Sequence, residues 1–291
     1  MYPAPFEYTA PTTLEEATSL LADLGFDGRV LAGGQSLLPM MKLRLASPAH
    51  LVDINHLPGL DGIEEVNGHL QIGALVRHAD VVDNDTVGSA SPLMAATARW
   101  IADPLVRNRG TVCGSISHCD PEGDWNSVML ALGAEVVASN GSGERTIPIS
   151  DFIVDFFTNS LQPGEIVTGV RIPRADAGTG GAYLKLERKI GDYATVGVAT
   201  HLHLDQSGAI DQAGIGLTSV GPRNIKATEA EQMLAGQTPS DELFSEASHA
   251  AAQAADPASD VRGPAEYKRA VVEAYVKRGL QQSLAQIREE H

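Results

Sequence analysis

Apolar positions Leu14, Ala17, Leu21 and Leu24 fall on one face of a 3.6-residue repeat, which predicts a helix over residues 12–24. Thr12 and Glu15 have capping-box spacing at its start, and Gly25 ends it. Arg29-Val30-Leu31 is a short apolar strand. Leu37 to Leu45 resumes helical or 3₁₀ character, with Pro39 tolerable only in a first turn. Leu51-Val52-Asp53-Ile54 reads as another strand, so the first 55 residues form a small α/β unit. Asn67-Gly68 between Ile63–Val66 and His69–Ile72 predicts a hairpin. Val76–Val82 and Pro92–Ile101 read as helices. Trp125, Val128, Met129 and Leu132 mark another, with Asp124 placed to cap it. Ala134–Ala138 is a strand, and Asn140-Gly141-Ser142-Gly143 is a loop.

Gly178-Thr179-Gly180-Gly181 marks a boundary. Beyond it, Ala182–Arg188, Ala194–Leu204 and Ile210–Ser219 read as three strands. His201-Leu202-His203-Leu204 alternates as a strand with one wet face does. Thr238-Pro239-Ser240-Asp241 has capping-box spacing with proline at the first helical position, and helices follow at 241–255 and 265–284. The whole reads as α+β, with no internal repeat.

Composition narrows the function classes. A chain of 291 residues can bury a large core and suggests about two domains. A formal net charge of −16 argues against nucleic acid and anionic membrane as partners, because both select a basic footprint. The N-terminal Met1-Tyr2-Pro3-Ala4-Pro5 lacks the basic and apolar regions of a signal peptide. No stretch approaches the ~20 apolar residues of a membrane span. Two cysteines, Cys113 and Cys119, are too few for a disulfide framework or an iron–sulfur cluster, and a reducing, cytoplasmic setting is expected.

Candidate chemistry concentrates in two glycine segments, Ala32-Gly33-Gly34-Gln35-Ser36 and Thr111-Val112-Cys113-Gly114-Ser115. Both read as small-residue turns, in which glycine admits close backbone approach and successive N–H groups converge on an anion. Two such cradles suit a ligand with two phosphates. A Gly-Gly pair alone is more often a tight turn. Neither segment is a G-x-G-x-x-G fingerprint or a Walker A loop. Arg107 and Arg109 precede the second segment, so it reads equally as a pyrophosphate cradle or a surface loop. Cys113, His118, Cys119 and Asp120 match no standard zinc spacing. His201 and His203 share a strand face, where a solvent-facing pair is the plainer reading than a chelate. Tyr193, ahead of a strand, can stack on an aromatic ligand or serve a core. No catalytic residue or metal ligand set is assigned.

In three stretches the chain resembles the medium, FAD-binding subunit of molybdenum hydroxylases, the carbon monoxide dehydrogenase and xanthine dehydrogenase class. They are Leu31 to Pro39, Ala102 to Pro121, and Gly191-Asp192-Tyr193-Ala194-Thr195-Val196-Gly197-Val198-Ala199. The resemblance covers essentially the whole chain. It implies a two-part FAD-binding domain of the vanillyl-alcohol-oxidase (PCMH) type over residues 1–177, with sub-domains at about 1–55 and 56–177. A C-terminal three-stranded sheet with helices would occupy 178–291. It also implies that Ala32, Gly33, Gly34, Gln35, Ser36 and Leu37 wrap one side of the FAD pyrophosphate, and that Thr111, Gly114 and Ser115 hold the other. Asp124, Ile101, His118, Leu161 and Lys185 fall at cofactor-contacting positions, and Tyr193 falls beside the isoalloxazine. The family usually has Gly-Gly where this chain has Cys113-Gly114, so the Cys113 side chain must point away from the phosphates.

The function so implied is electron transfer through FAD. A small subunit with two [2Fe-2S] clusters and a large molybdenum–pterin subunit would be the partners, in a dimer of heterotrimers. A stand-alone FAD oxidase and a non-redox nucleotide-binding module are the alternatives.

Overall fold

The computed structural model describes residues 2–289. Its first unit holds strand β1 (Glu7–Thr9), helix α1 (Leu14–Leu24), β2 (Gly28–Leu31), α2 (Leu37–Lys42) and β3 (His50–Asp53). The strands form a parallel sheet in the order β1-β3-β2. Helix α1 starts one residue later than the spacing suggested. Thr13, not Thr12, is the N-cap and accepts from the Glu16 amide, while Glu16 reaches back to the Thr12 amide. Two adjacent threonines offer the same box in two registers, and the second puts Ala17 and Leu21 in the core.

The second unit is built on a five-stranded antiparallel sheet in the order β4-β5-β10-β6-β7. These strands are Ile63–Val66, His69–Gly73, Ile166–Pro173, Glu135–Ser139 and Glu144–Pro148 respectively. A small hairpin, β8 (Ile153–Asp155) and β9 (Thr158–Asn159), stands apart. Helices α3 (His78–Val81), α4 (Asp85–Ala90), α5 (Pro92–Ala98), α6 (Pro104–Arg107), α7 (Val112–His118), α8 (Asp124–Leu132) and α9 (Ile149–Phe152) complete it. The expected hairpin is β4 and β5, paired Val66 to His69 across Asn67-Gly68. The second glycine segment is not a turn. It is the start of α7, capped by Thr111, whose hydroxyl accepts from the Gly114 amide. Burial of Val112, Cys113 and Ile116 outweighs the poor helix propensity of the glycine.

The third unit is a four-stranded antiparallel sheet, β11 (Thr179–Leu186), β12 (Val196–Leu204), β13 (Ile210–Thr218) and β14 (Ile225–Lys226). Three strands were expected; the two-residue β14 is too short to leave a pattern. Helices α10 (Thr228–Leu234), α11 (Asp241–Ala254) and α12 (Ala265–Glu289) cover it. Ser240 caps α11 in place of Thr238, so Pro239 precedes the helix. His201 is half-buried, as is His203 on the same strand, and burial lowers the His201 imidazole to about 4. His203 pairs with Asp211.

Helix α8 joins the second and third units. A Cβ on Gly214 or Gly216 of β13 would lie 1.9 Å from the carbonyl of Ala131 or Ser127, so the helix backbone rests directly on the strand. Asp124 through Ala131 are all buried as a result. Trp125 donates its indole N–H to His78 Nδ1 at 3.1 Å. Burial, with Arg107 and Arg77 nearby, lowers His78 from 6.5 to about 4. The folded protein therefore keeps His78 neutral where the unfolded chain takes up a proton. Stability attributable to His78 is complete above pH 6.5 and is lost as pH falls from there towards 4, by about 3 kcal/mol over the window. Urea midpoints at pH 7 and pH 4.5 measure this. His78→Gln should lower the pH 7 midpoint and flatten the acid slope relative to wild type; an unchanged slope would refute the assignment.

Candidate flavin site

The first glycine segment leaves β2 and enters α2. Among the described residues, the amides of Gly33, Gly34, Gln35, Ser36 and Leu37 donate to no protein acceptor, and the first bond of the turn runs from the Leu38 amide to the Gly34 carbonyl. Five successive free N–H groups in a partly buried loop are unusual, because shielded amides are normally paired. Gly34 has φ +72°, a backbone conformation that favours glycine. Ser36 precedes α2 without a side-chain capping bond, and Gln35 is exposed.

The two glycine segments meet. A Cβ on Gly33 would lie 2.4 Å from the Arg109 carbonyl and 2.7 Å from the Gly110 Cα, so the loops touch backbone to backbone. Beyond that contact Thr111 opens α7, with Gly114 and Ser115 on its outer side and Val112, Cys113 and Ile116 turned inward. The Gly114 amide is given to Thr111 Oγ1 and the Ser115 amide to the Thr111 carbonyl. Cys113 points into the core, its Sγ 3.7 Å from the Ile72 and Gly73 carbonyls, and burial raises its thiol to about 12. Cys113→Ala should therefore cost only about 1 kcal/mol. Cys113→Asp sets a carboxylate against two carbonyl oxygens in the core, and should cost more than about 3 kcal/mol whether or not ligand is present. Equal urea midpoints for the two variants would contradict this placement.

Of the remaining residues, Asp124 and Lys185 meet at the N-terminus of α8, whereas His118 and Leu161 lie at the end of α7. Asp124 does not cap α8. Gly123 is the N-cap, and the Asp124 carboxylate accepts from Tyr183 and, at 3.0 Å, from Lys185 Nζ. Burial holds the Asp124 carboxyl above its ordinary range, with Lys185 and Tyr183 opposing it. Lys185 also donates to the Trp100 carbonyl at 3.2 Å, which ties it to the segment carrying buried Ile101. Gly191 packs against Ala102, since a Cβ there would lie 2.8 Å from the Ala102 carbonyl. The loop following Gly191 leaves Tyr193 49% exposed. Burial and the carboxylates of Asp120, Glu122 and Asp124 raise the Tyr193 phenol. His118, at the end of α7, has its ring 4.7 Å from that of Phe157, and burial lowers its pKa. The Leu161 amide donates to Asn159, which in turn donates to the Ser117 carbonyl, so this segment is tied to the same helix end.

The sequence patterns did not mark Asn55 and Arg77. Asn55 Nδ2 donates to the Ala32 carbonyl at 2.8 Å and its Oδ1 accepts from Arg77 Nη2 at 2.6 Å. Arg77 Nη1 then donates to the Arg109 carbonyl at 2.7 Å. Burial and the Arg109 guanidinium lower the Arg77 pKa. Among the described residues, Arg77, Arg107 and Arg109 make no ion pair, in a chain whose net charge is −16.

The unpaired amides of Gly33 to Leu37 lie against Arg109-Gly110, and the amides of Val112, Gly114 and Ser115 at the start of α7 are paired within the protein. The family described as the FAD binding domain in molybdopterin dehydrogenase matches residues 4–175, and the CO dehydrogenase flavoprotein C-terminal domain matches residues 181–283. The chain belongs to this family of FAD-binding flavoproteins, the medium subunits of molybdenum-dependent oxidoreductases. It is 41% identical over 280 residues to the carbon monoxide dehydrogenase medium chain of Hydrogenophaga pseudoflava, covering 96% of this chain and 97% of that one. It is 39% identical over 288 residues to the 6-hydroxypseudooxynicotine dehydrogenase complex subunit alpha of Paenarthrobacter nicotinovorans, covering 99% and 97%. The solved carbon monoxide dehydrogenase from Hydrogenophaga pseudoflava, lacking the Mo-pyranopterin moiety of its molybdenum cofactor, superimposes with a TM-score of 0.94 at 42% identity. That match covers 98% of this chain and 99% of the solved one. No helix among the described residues is long and apolar enough to cross a membrane.

Proposed function

We propose that this chain is the electron-transferring flavoprotein subunit of a three-subunit molybdenum hydroxylase, with residues 1–177 as a PCMH-type FAD-binding domain and 178–291 as a C-terminal domain. The observation that carries this reading is the run of unpaired amides from Gly33 to Leu37 held against Arg109-Gly110. FAD, when bound, supplies the redox chemistry, accepting electrons and releasing them to an external acceptor.

The residues of this chain bind and orient the cofactor. The amides of Gly33 to Leu37 would take one face of the pyrophosphate, and the Thr111 and Ser115 hydroxyls, beside exposed Gly114, the other, with Ala32 held back by Asn55. Asp124 and Lys185 form a buried ion pair beneath Ile101, next to the loop bearing Tyr193. His118 and Leu161 border the far end of α7. A small subunit with [2Fe-2S] clusters would deliver electrons, and a large molybdenum–pterin subunit would hold the substrate, in a dimer of heterotrimers. The two free, buried cysteines favour a reducing, cytoplasmic setting.

The isolated chain is expected to bind one FAD non-covalently, so acid precipitation should leave the yellow colour in the supernatant. Anaerobic addition of the hydroxylase substrate should bleach the flavin only when both partner subunits are present. Bleaching by this chain alone would replace the subunit reading with that of a stand-alone flavin oxidase, and a colourless protein that takes up no FAD would remove both.

A further inference from the structure

Segments 32–37 and 109–115 lie more than 70 residues apart in sequence, and they touch at a glycine that contributes no side chain. Backbone contact alone does not fix their separation, because dispersion between a few atoms is weak. Asn55 bridges the gap from one side. Its Nδ2 gives one hydrogen to the Ala32 carbonyl and the other to Asp53 Oδ1 at 2.6 Å, and its Oδ1 faces the Arg77 fork. Two acceptors at nitrogen and a guanidinium at oxygen leave the amide a single satisfactory orientation. Asp53 is itself held by the Tyr8 hydroxyl at 2.7 Å and by the Asn55 amide at 2.9 Å. Arg77 completes the span. One arm reaches Asn55 and the other the Arg109 carbonyl, the same oxygen that faces Gly33. Two short backbone bonds, His78 N–H to Gly110 carbonyl and Val112 N–H to Val76 carbonyl, lock Arg77 beside Thr111.

We propose that Asn55 and Arg77 form a clasp that sets the distance between the two glycine segments, so that FAD affinity depends on two positioning residues that need not touch the cofactor. The proposal rests on the FAD-binding reading above. A ligand that engages both segments at once is sensitive to their spacing, because misplaced donors lose hydrogen bonds steeply with distance. The planar guanidinium presents Nη1 and Nη2 as two separate donors in fixed directions, whereas the three donors of lysine share one freely rotating nitrogen that cannot reproduce that span.

The test is a double-mutant cycle on FAD affinity, using the full chain stripped of flavin and titrated with FAD. Asn55→Ala and Arg77→Met should each weaken FAD by about ten-fold or more. The double variant should be little worse than either single one, since both break the same span. Arg77→Lys should stay weakened, whereas a residue acting through its charge on phosphate would be rescued by lysine. Urea midpoints of the apo-variants should stay near that of the wild type. Should Arg77→Met fold poorly, Arg77→Gln, which can reach only one of the two acceptors, provides the same readout. Additive losses, rescue by lysine, wild-type affinity in both single variants, or a loss of apo-protein stability as large as the loss of binding would each overturn the clasp. Wild-type protein that binds no FAD would instead overturn the underlying reading, and is seen in the first titration.

Discussion

Lys185→Met is expected to destabilise the protein by about 3–5 kcal/mol, the range for removing one partner of a buried ion pair. The Lys185 side chain is 1% exposed and that of Asp124 is 9% exposed, so water cannot replace the lost partner. Asp124 would keep only the Tyr183 hydroxyl, inside a helix buried from residue 124 to 131. The Trp100 carbonyl would lose its donor as well, freeing the segment that carries Ile101 and Ala102 from beneath the Gly191 turn. Asp124→Leu should be less harmful, because the ammonium keeps the Glu187 carboxylate at 3.7 Å and the Trp100 carbonyl at 3.2 Å. The double variant Lys185→Met/Asp124→Leu should recover only part of the loss, since Glu187, whose side chain is 10% exposed, still loses the ammonium 3.7 Å away. Urea unfolding of the four proteins measures this, and additive losses in the double variant would show that the pair is not coupled.

That pair also shows where sequence reading stops. Asp124 opens a helix and is followed by apolar residues at helical spacing, which is the pattern of a cap. Its true partner lies 61 residues away on a strand, and no local pattern encodes that distance. Asn55 and Arg77 were hidden for the same reason, being joined to one another across 22 residues and to Ala32 and Arg109 across 23 and 32. The helical and strand faces were legible in α1, α8 and the long strands β11 to β13, whereas β10, the centre of the five-stranded sheet, was not read, because its bulge between Val167 and Gly169 breaks the alternation. Short elements such as α4, α10 and β14 left no periodic trace. Helix α7 was misread because Gly114 and two serines disguise a helix held by three inward side chains. Glycine punctuation, by contrast, located the first loop correctly, because Gly34 adopts φ +72°, a conformation that favours glycine.

The largest effect on the cofactor is expected from Gly33→Ala. The added Cβ would sit 2.4 Å from the Arg109 carbonyl oxygen, 2.7 Å from the Gly110 Cα and 3.0 Å from the Arg109 carbonyl carbon. All three are backbone atoms, so no side chain can swing aside, and the two segments must separate. Separation strains the bonds from Asn55 and Arg77 and carries five free amides away from α7. FAD affinity should fall by about a hundred-fold or more, equivalent to about 2.7 kcal/mol or more. Gly34→Ala is the control. It meets only the flexible Leu38 and Leu31 side chains, at 3.0 and 3.3 Å, and carries the strain of a positive φ, about 1–2 kcal/mol. That strain falls on the loop itself and leaves the meeting of the two segments intact. Flavin content on purification, followed by FAD titration of the stripped proteins, should therefore rank wild type above Gly34→Ala and Gly34→Ala well above Gly33→Ala. If Gly33→Ala retained stoichiometric flavin at wild-type affinity, the meeting of the two segments would have no part in holding the cofactor.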